Sequence, residues 1–312
     1  MEIFKTIDNK LVKIDEIEEG AWINLVAPTD ETIKHIVATL NIEEQSILAA
    51  LDTEERPRIE IEDNETLIIV DVPYLEKNTS SHAGVSHTTL PLGIIITEHN
   101  IITVATTDVS LLYPFKKGVL KGFNTNRRTT FLLQMLYRNA ANYLIYLRNI
   151  EKKSKEWETE LYLSQRNSEL LALLELEKSL VYFSTSLKSN ESVLERLFRL
   201  SFIKKYPDDL EILEDAIIEN KQAIEMAKIY SDVLGVVMEV FASVISNNFN
   251  ILMKRLTSIT IVMAVPTILS GIWGMNVFVP FREAPFGFAW VIVIITLISS
   301  MVALLLMKKK LL

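Results

Sequence analysis

Residues 256–281 and 284–307 contain no Asp, Glu, Lys or Arg. A helix needs about 20 predominantly apolar residues to cross a hydrocarbon core some 30 Å thick, and each stretch meets that length. Both are therefore expected to be transmembrane helices, because a span in lipid must satisfy its own backbone hydrogen bonds. A chain of 312 residues also has room for a domain with its own core, since single cores stop growing at roughly 250–300 residues. The hydrophobic fraction of 49% and the mean hydropathy of +0.24 average over these two unlike parts.

Basic residues orient the spans. Lys254 and Arg255 precede the first, Lys308, Lys309 and Lys310 follow the second, and only Arg282 with Glu283 lies between them. The positive-inside bias places both outer flanks in the cytoplasm, so a multi-pass protein of the cell membrane with cytoplasmic termini is expected. Residues 276–287, with Pro280, Pro285 and Gly287, then form a short external loop. The mixed, charged residues 1–10 offer no apolar run or cleavage site, so no signal peptide is expected. The chain has no Cys, which excludes disulfides and thiolate metal sites. A net charge of −8 argues against a nucleic-acid partner and makes cations the better company. No phosphate-binding glycine loop, HExxH pair or nucleophile signature occurs, so neither an enzyme nor an organic cofactor is expected.

Residues 1–127 read as an α/β domain, with strands expected at 22–26, 57–62, 66–72, 92–97 and 101–106 and helices at 31–40 and 43–51. The Ser-, Thr- and His-rich segment 78–89 reads as a solvated loop, in which His82 and His87 are more readily solvent-facing than metal-binding. Strand signals stop at residue 128, and 128–206 reads as long antiparallel helices. Pro207, Asp208 and Asp209 mark a fresh helix start. Helical patterning then runs through 207–275 as a stalk that becomes the first span at about residue 256, roughly 100 Å of helix. Pro266 is tolerated there because neighbouring helices satisfy the freed carbonyl. The second span is expected at 288–307, followed by a basic tail at 308–312.

Stepping by seven along the stalk gives Glu225, Asp232, Glu239, Ser246, Met253, Thr260, Thr267 and Gly274. A companion series gives Gln222, Ile229, Val236, Ser243, Asn250, Thr257, Ala264 and Gly271. A seven-residue repeat keeps both series on one face of a supercoiled helix, carboxylate-bearing in the cytoplasm and small or hydroxylic in the membrane. Two readings stand. Small residues let membrane helices pack closely, as in a non-conducting anchored scaffold. Alternatively the seam lines a pore, and around a symmetric axis Glu225, Asp232 and Glu239 become acidic rings that focus cations. The membrane part carries no carboxylate, and Mg²⁺ sheds water reluctantly, so an ion would pass largely hydrated. Met253 and Leu256 either gate by dewetting or pack.

The first span ends in Gly271-Ile272-Trp273-Gly274-Met275-Asn276. Gly-Met-Asn after an aromatic residue, followed by a short loop, a second span and a Lys cluster, resembles the CorA family of magnesium transporters. Pro266-Thr267, Asn250, Met253 and Arg56-Pro57 extend the resemblance into the rest of the chain. The resemblance implies a funnel-shaped homo-oligomer, a pentamer, with a cytoplasmic α/β domain, a stalk helix continuing into the pore and a second span ringing the first. It implies a passive Mg²⁺ channel whose selectivity ring is Gly274, Met275 and Asn276. It further implies that Asn250, Met253, Thr260 and Thr267 line the pore and that Glu239 stands on its inner part.

The family also senses internal Mg²⁺ through carboxylates between neighbouring domains, and Asp215 fits one side of such a site. The partner helix carries Leu48-Ala49 where an acidic pair is common, leaving Glu44, Asp52 or Glu55 as substitutes. The external loop departs too, with Glu283 beside Arg282. A zinc, cobalt or nickel transporter of the ZntB type is similar in fold and signature and is the alternative, although a pore without Cys or His favours a hard cation.

Overall fold

The computed structural model describes residues 1–8, 10–76, 86–120, 122–164, 167–200, 204–281 and 285–309. The chain divides into two compact units, Met1–Met238 and Glu239–Leu312.

The first unit is built on one seven-stranded sheet in the order β2-β1-β3-β7-β6-β5-β4. The strands are β1 (Glu2–Ile7), β2 (Lys10–Ile14), β3 (Trp22–Val26), β4 (Arg58–Ile61), β5 (Glu65–Glu76), β6 (Ser86–Thr97) and β7 (Ile101–Ala105). β3 and β7 pair in parallel, and the other neighbours are antiparallel. All five residues of β7 are buried, as expected of a central strand covered on both faces. The period of two sorts the side chains. Trp22, Ile68, Ile94 and Ile101 belong to one core, and Ile23, Leu67, Ile69, Ile95 and Ile102 to the other.

The second core is closed by α1 (Asp30–Leu40) and α2 (Glu44–Leu51), through Ile33, Ile36 and Ile47. Thr29 caps α1 by accepting from the Thr32 amide, and Asn41 ends it in the left-handed region at φ 53°. α2 lies so close to β6 that a Cβ on Gly93 would stand 2.3 Å from the Ala50 Cβ. After the short α3 (Tyr113–Lys116), the first core is closed by α4 (Arg128–Ser164), α5 (Asn167–Arg199) and the start of α6 (Asp209–Trp273), through Phe131, Leu197 and Leu213. Trp22 sits at its centre, 5.1 Å from the Phe131 ring, and its indole N–H donates to Thr103 Oγ1 at 2.9 Å.

Three local expectations are corrected. β1 and β2 were not anticipated, because Lys10 and Lys13 give β2 the charged look of a protected sheet edge. β6 begins at Ser86, so His87 is a buried strand residue rather than part of a solvated loop; His82 lies outside the described residues. α6 starts at Asp209, after Pro207 rather than on it.

In the first unit α6 buries Leu213, Ala216, Asn220, Ala223, Ala227 and Leu234, a stripe spaced by three, four and seven. Asn220 Nδ2 donates to the Leu187 carbonyl of α5 at 3.0 Å, and Tyr230 OH donates to Glu151 of α4 at 3.0 Å. The second unit holds the rest of α6 and α7 (Gly287–Lys308). α6 and α7 are long and apolar enough to cross a membrane, and their apolar stretches are almost wholly unburied within the chain.

Candidate functional site

Within the first unit the heptad seam lies on the face of α6 opposite its core stripe. If Leu213, Asn220 and Ala227 are positions a, then Gln222 and Ile229 are c, and Glu225 and Asp232 are f, nearly diametrically across the helix. Glu225 and Asp232 are exposed in the first unit; Glu239, Asn250, Met253, Leu256, Thr260, Thr267 and Gly271 are exposed in the second, and Ala264 is half-buried. Gln222, Glu225, Ile229 and Asp232 thus lie across α6 from the core stripe of the first unit, and the seven-residue series continues along the same helix into the second.

In the membrane part the hydroxyls have a defined polarity. Thr257 donates to the Met253 carbonyl, Thr260 to Leu256, Thr267 to Met263 and Ser270 to Pro266, at 2.8, 2.8, 3.2 and 2.7 Å. With each proton committed to its own helix, the oxygen lone pairs point outward as acceptors. The water shell of a cation presents hydrogens, so such a face suits a hydrated cation.

α6 ends at Trp273, where the Gly274 amide donates to the carbonyls of Ser270 and Gly271 at 2.9 and 3.2 Å and the Met275 amide to Ile272 at 3.3 Å. A Cβ on Gly274 would lie 3.3 Å from the Ser270 carbonyl oxygen, which favours glycine at this turn. Gly274, Met275 and Asn276 are exposed just beyond the helix. The returning chain is also built: Phe281 is left-handed at φ 65°, and a Cβ on Gly287 would come within 2.0 Å of its carbonyl oxygen. Trp273 Nε1 donates to the Pro280 carbonyl at 3.1 Å, a bond not foreseeable from residue types alone. Arg282 and Glu283 lie outside the described residues.

The carboxylates weighed for regulation are dispersed. Asp215 is exposed on α6 and Glu44 is exposed at the start of α2. Asp52 accepts the Glu54 amide at 2.9 Å, and Glu55 pairs with Arg58. Leu48 is exposed on α2 while Ala49 is buried in the second core, so an acid at 49 would face inward. Among the described residues no three of His, Asp and Glu gather within one chain as a metal site. Lys308 and Lys309 are exposed at the end of α7, and Lys310 lies outside the described residues.

Comparison with known proteins agrees over nearly the whole length. The curated cobalt/magnesium transport protein CorA of Methanocaldococcus jannaschii is 29% identical over 299 residues, covering 93% of this chain and 92% of the relative. The complete structure of the CorA magnesium transporter from the same organism superposes with a TM-score of 0.84 at 26% identity, covering 98% of this chain and 97% of that one. The cytoplasmic domain of ZntB from Vibrio parahaemolyticus shares the fold, with a TM-score of 0.62 at 13% identity over 80% of this chain and 98% of that one. The family described as CorA-like Mg²⁺ transporter protein matches residues 18–309, from the α/β domain through both apolar helices, and the chain belongs to that family.

Proposed function

We propose that the chain is one subunit of a passive Mg²⁺ channel, a homo-oligomer in the cell membrane with both termini in the cytoplasm. Five copies around an axis is the number the family resemblance implies. One observation carries the reading: the exposed, hydroxylic face of α6 leads without a charged residue from Lys254 and Arg255 to the exposed turn Gly274-Met275-Asn276. Asn276 offers an amide oxygen to the water shell of the ion at the outer mouth. Thr267 and Thr260 pass it along as acceptors, Met253 and Leu256 narrow the path, and Glu239, Asp232 and Glu225 hold cations at the inner mouth. Asp215, with Glu44 or Asp52 of a neighbouring copy, senses cytoplasmic Mg²⁺.

Influx is downhill. Membrane potential alone favours a dication by about 4.6 kcal/mol per 100 mV, twice the single-charge value, so no nucleotide is required. Mg²⁺ is the cargo, and the relative's name pairs cobalt with magnesium. The test is Asn276→Ala in proteoliposomes: selective Mg²⁺ uptake is expected to fall to background with assembly intact. Normal uptake by that variant would remove Asn276 from the selectivity ring.

A further inference from the structure

We infer that Trp273 is a positioning residue whose indole N–H staples the external loop and so fixes the Gly274-Met275-Asn276 turn. The inference rests on the reading of that turn as the ion-selecting ring. On the inner side, the Gly274 and Met275 amides are held by the last turn of α6. On the outer side, the chain returns to α7 through left-handed Phe281, packed against Gly287 too closely for any Cβ. The 3.1 Å bond from Trp273 Nε1 to the Pro280 carbonyl ties these two halves together across the residues between them. An indole N–H is a donor only, and Pro280 offers its carbonyl but no amide, so the pairing has a single polarity.

Without the tie, a loop of this length samples many conformations and presents the Asn276 amide correctly only part of the time. Apparent affinity then falls in proportion to the competent fraction. A phenyl ring at position 273 would keep an aromatic group at the helix end and lose the donor.

The experiment measures Mg²⁺ influx against Mg²⁺ concentration for the full-length protein in proteoliposomes, comparing the parent with Trp273→Phe and Asn276→Ala. For Trp273→Phe the KM for Mg²⁺ should rise about three- to tenfold, the range expected from loss of one neutral hydrogen bond, with maximal flux within about twofold of the parent. An unchanged KM in Trp273→Phe, alongside lost uptake in Asn276→Ala, overturns the staple and leaves the ring standing. Reduced maximal flux at unchanged KM also overturns it, since that marks a packing role. Normal uptake by Asn276→Ala removes the ring and the inference with it. Should Trp273→Phe fail to assemble, the benzothienyl isostere of tryptophan, with sulfur in place of the N–H, is judged by the same two constants.

Discussion

His87 lies in β6 with 2% of its surface exposed, and the rings of Tyr146 and Phe183 meet it edge-on at 6.0 and 6.3 Å. Burial, aided by the positive charge of Lys153, lowers its pKa to about 4. The folded protein therefore holds it neutral well below the pH at which the unfolded chain, near the ordinary value of 6.5, takes up a proton. Between those values the unfolded state binds more protons. Its contribution to stability is whole above about pH 6.5 and declines until about pH 4, by about 3 kcal/mol in all. Nearby Asp71, whose pKa burial raises, works in the opposite sense, so the substitution must isolate the histidine. His87→Leu is expected to flatten the acid-side loss, read as the shift in denaturation midpoint between pH 7 and pH 5. The run Ser86-His87-Thr88-Thr89 looks like a loop in sequence because it is polar, whereas its place in β6 is set by distant partners. Ser186 of α5, for example, donates to Thr89 at 3.0 Å, a contact that local composition does not encode.

At the scale of elements, α6 was legible because the seven-residue series that start at Gln222 and Glu225 run unbroken to Gly271 and Gly274. Its anchorage was not. Asp209 is fully buried at the start of α6, and its carboxylate accepts from Thr129 Oγ1, Thr130 Oγ1 and the amides of Lys205 and Tyr206 at 2.9, 2.6, 3.1 and 2.9 Å. In sequence it reads only as an acid at a helix N-terminus, whereas the fold uses it to bind the first turn of α6 to the first turn of α4. Asp209→Ala would strand four donors and is expected to cost about 3 kcal/mol, seen as a lower melting temperature of the full chain in detergent. Asp209→Asn, which keeps an acceptor oxygen, should recover part of that loss. The central strands β3, β5 and β7 were readable from their apolar runs. β1 and β2 escaped because both are short and carry Lys among their apolar residues, β2 at the sheet edge, and only the pairing of Ile3 with Ile23 and Ile14 reveals them.

For the whole molecule, the two charge-free stretches and the turn between them carried most of the functional reading, since lipid imposes length and polarity more strictly than a soluble core does. The carboxylates proposed to sense Mg²⁺ were the least legible. If they meet between copies, neither one sequence nor one chain can bring them together, and Leu48-Ala49 removes the pair that would have marked the place. The most direct measurement is influx of Mg²⁺ and of Zn²⁺ into dye-loaded proteoliposomes at a fixed negative potential, with and without high Mg²⁺ on the cytoplasmic face. Mg²⁺ influx that falls when cytoplasmic Mg²⁺ is high is the predicted result, and flux of Zn²⁺ alone, or no cation flux, would contradict a self-regulated magnesium channel.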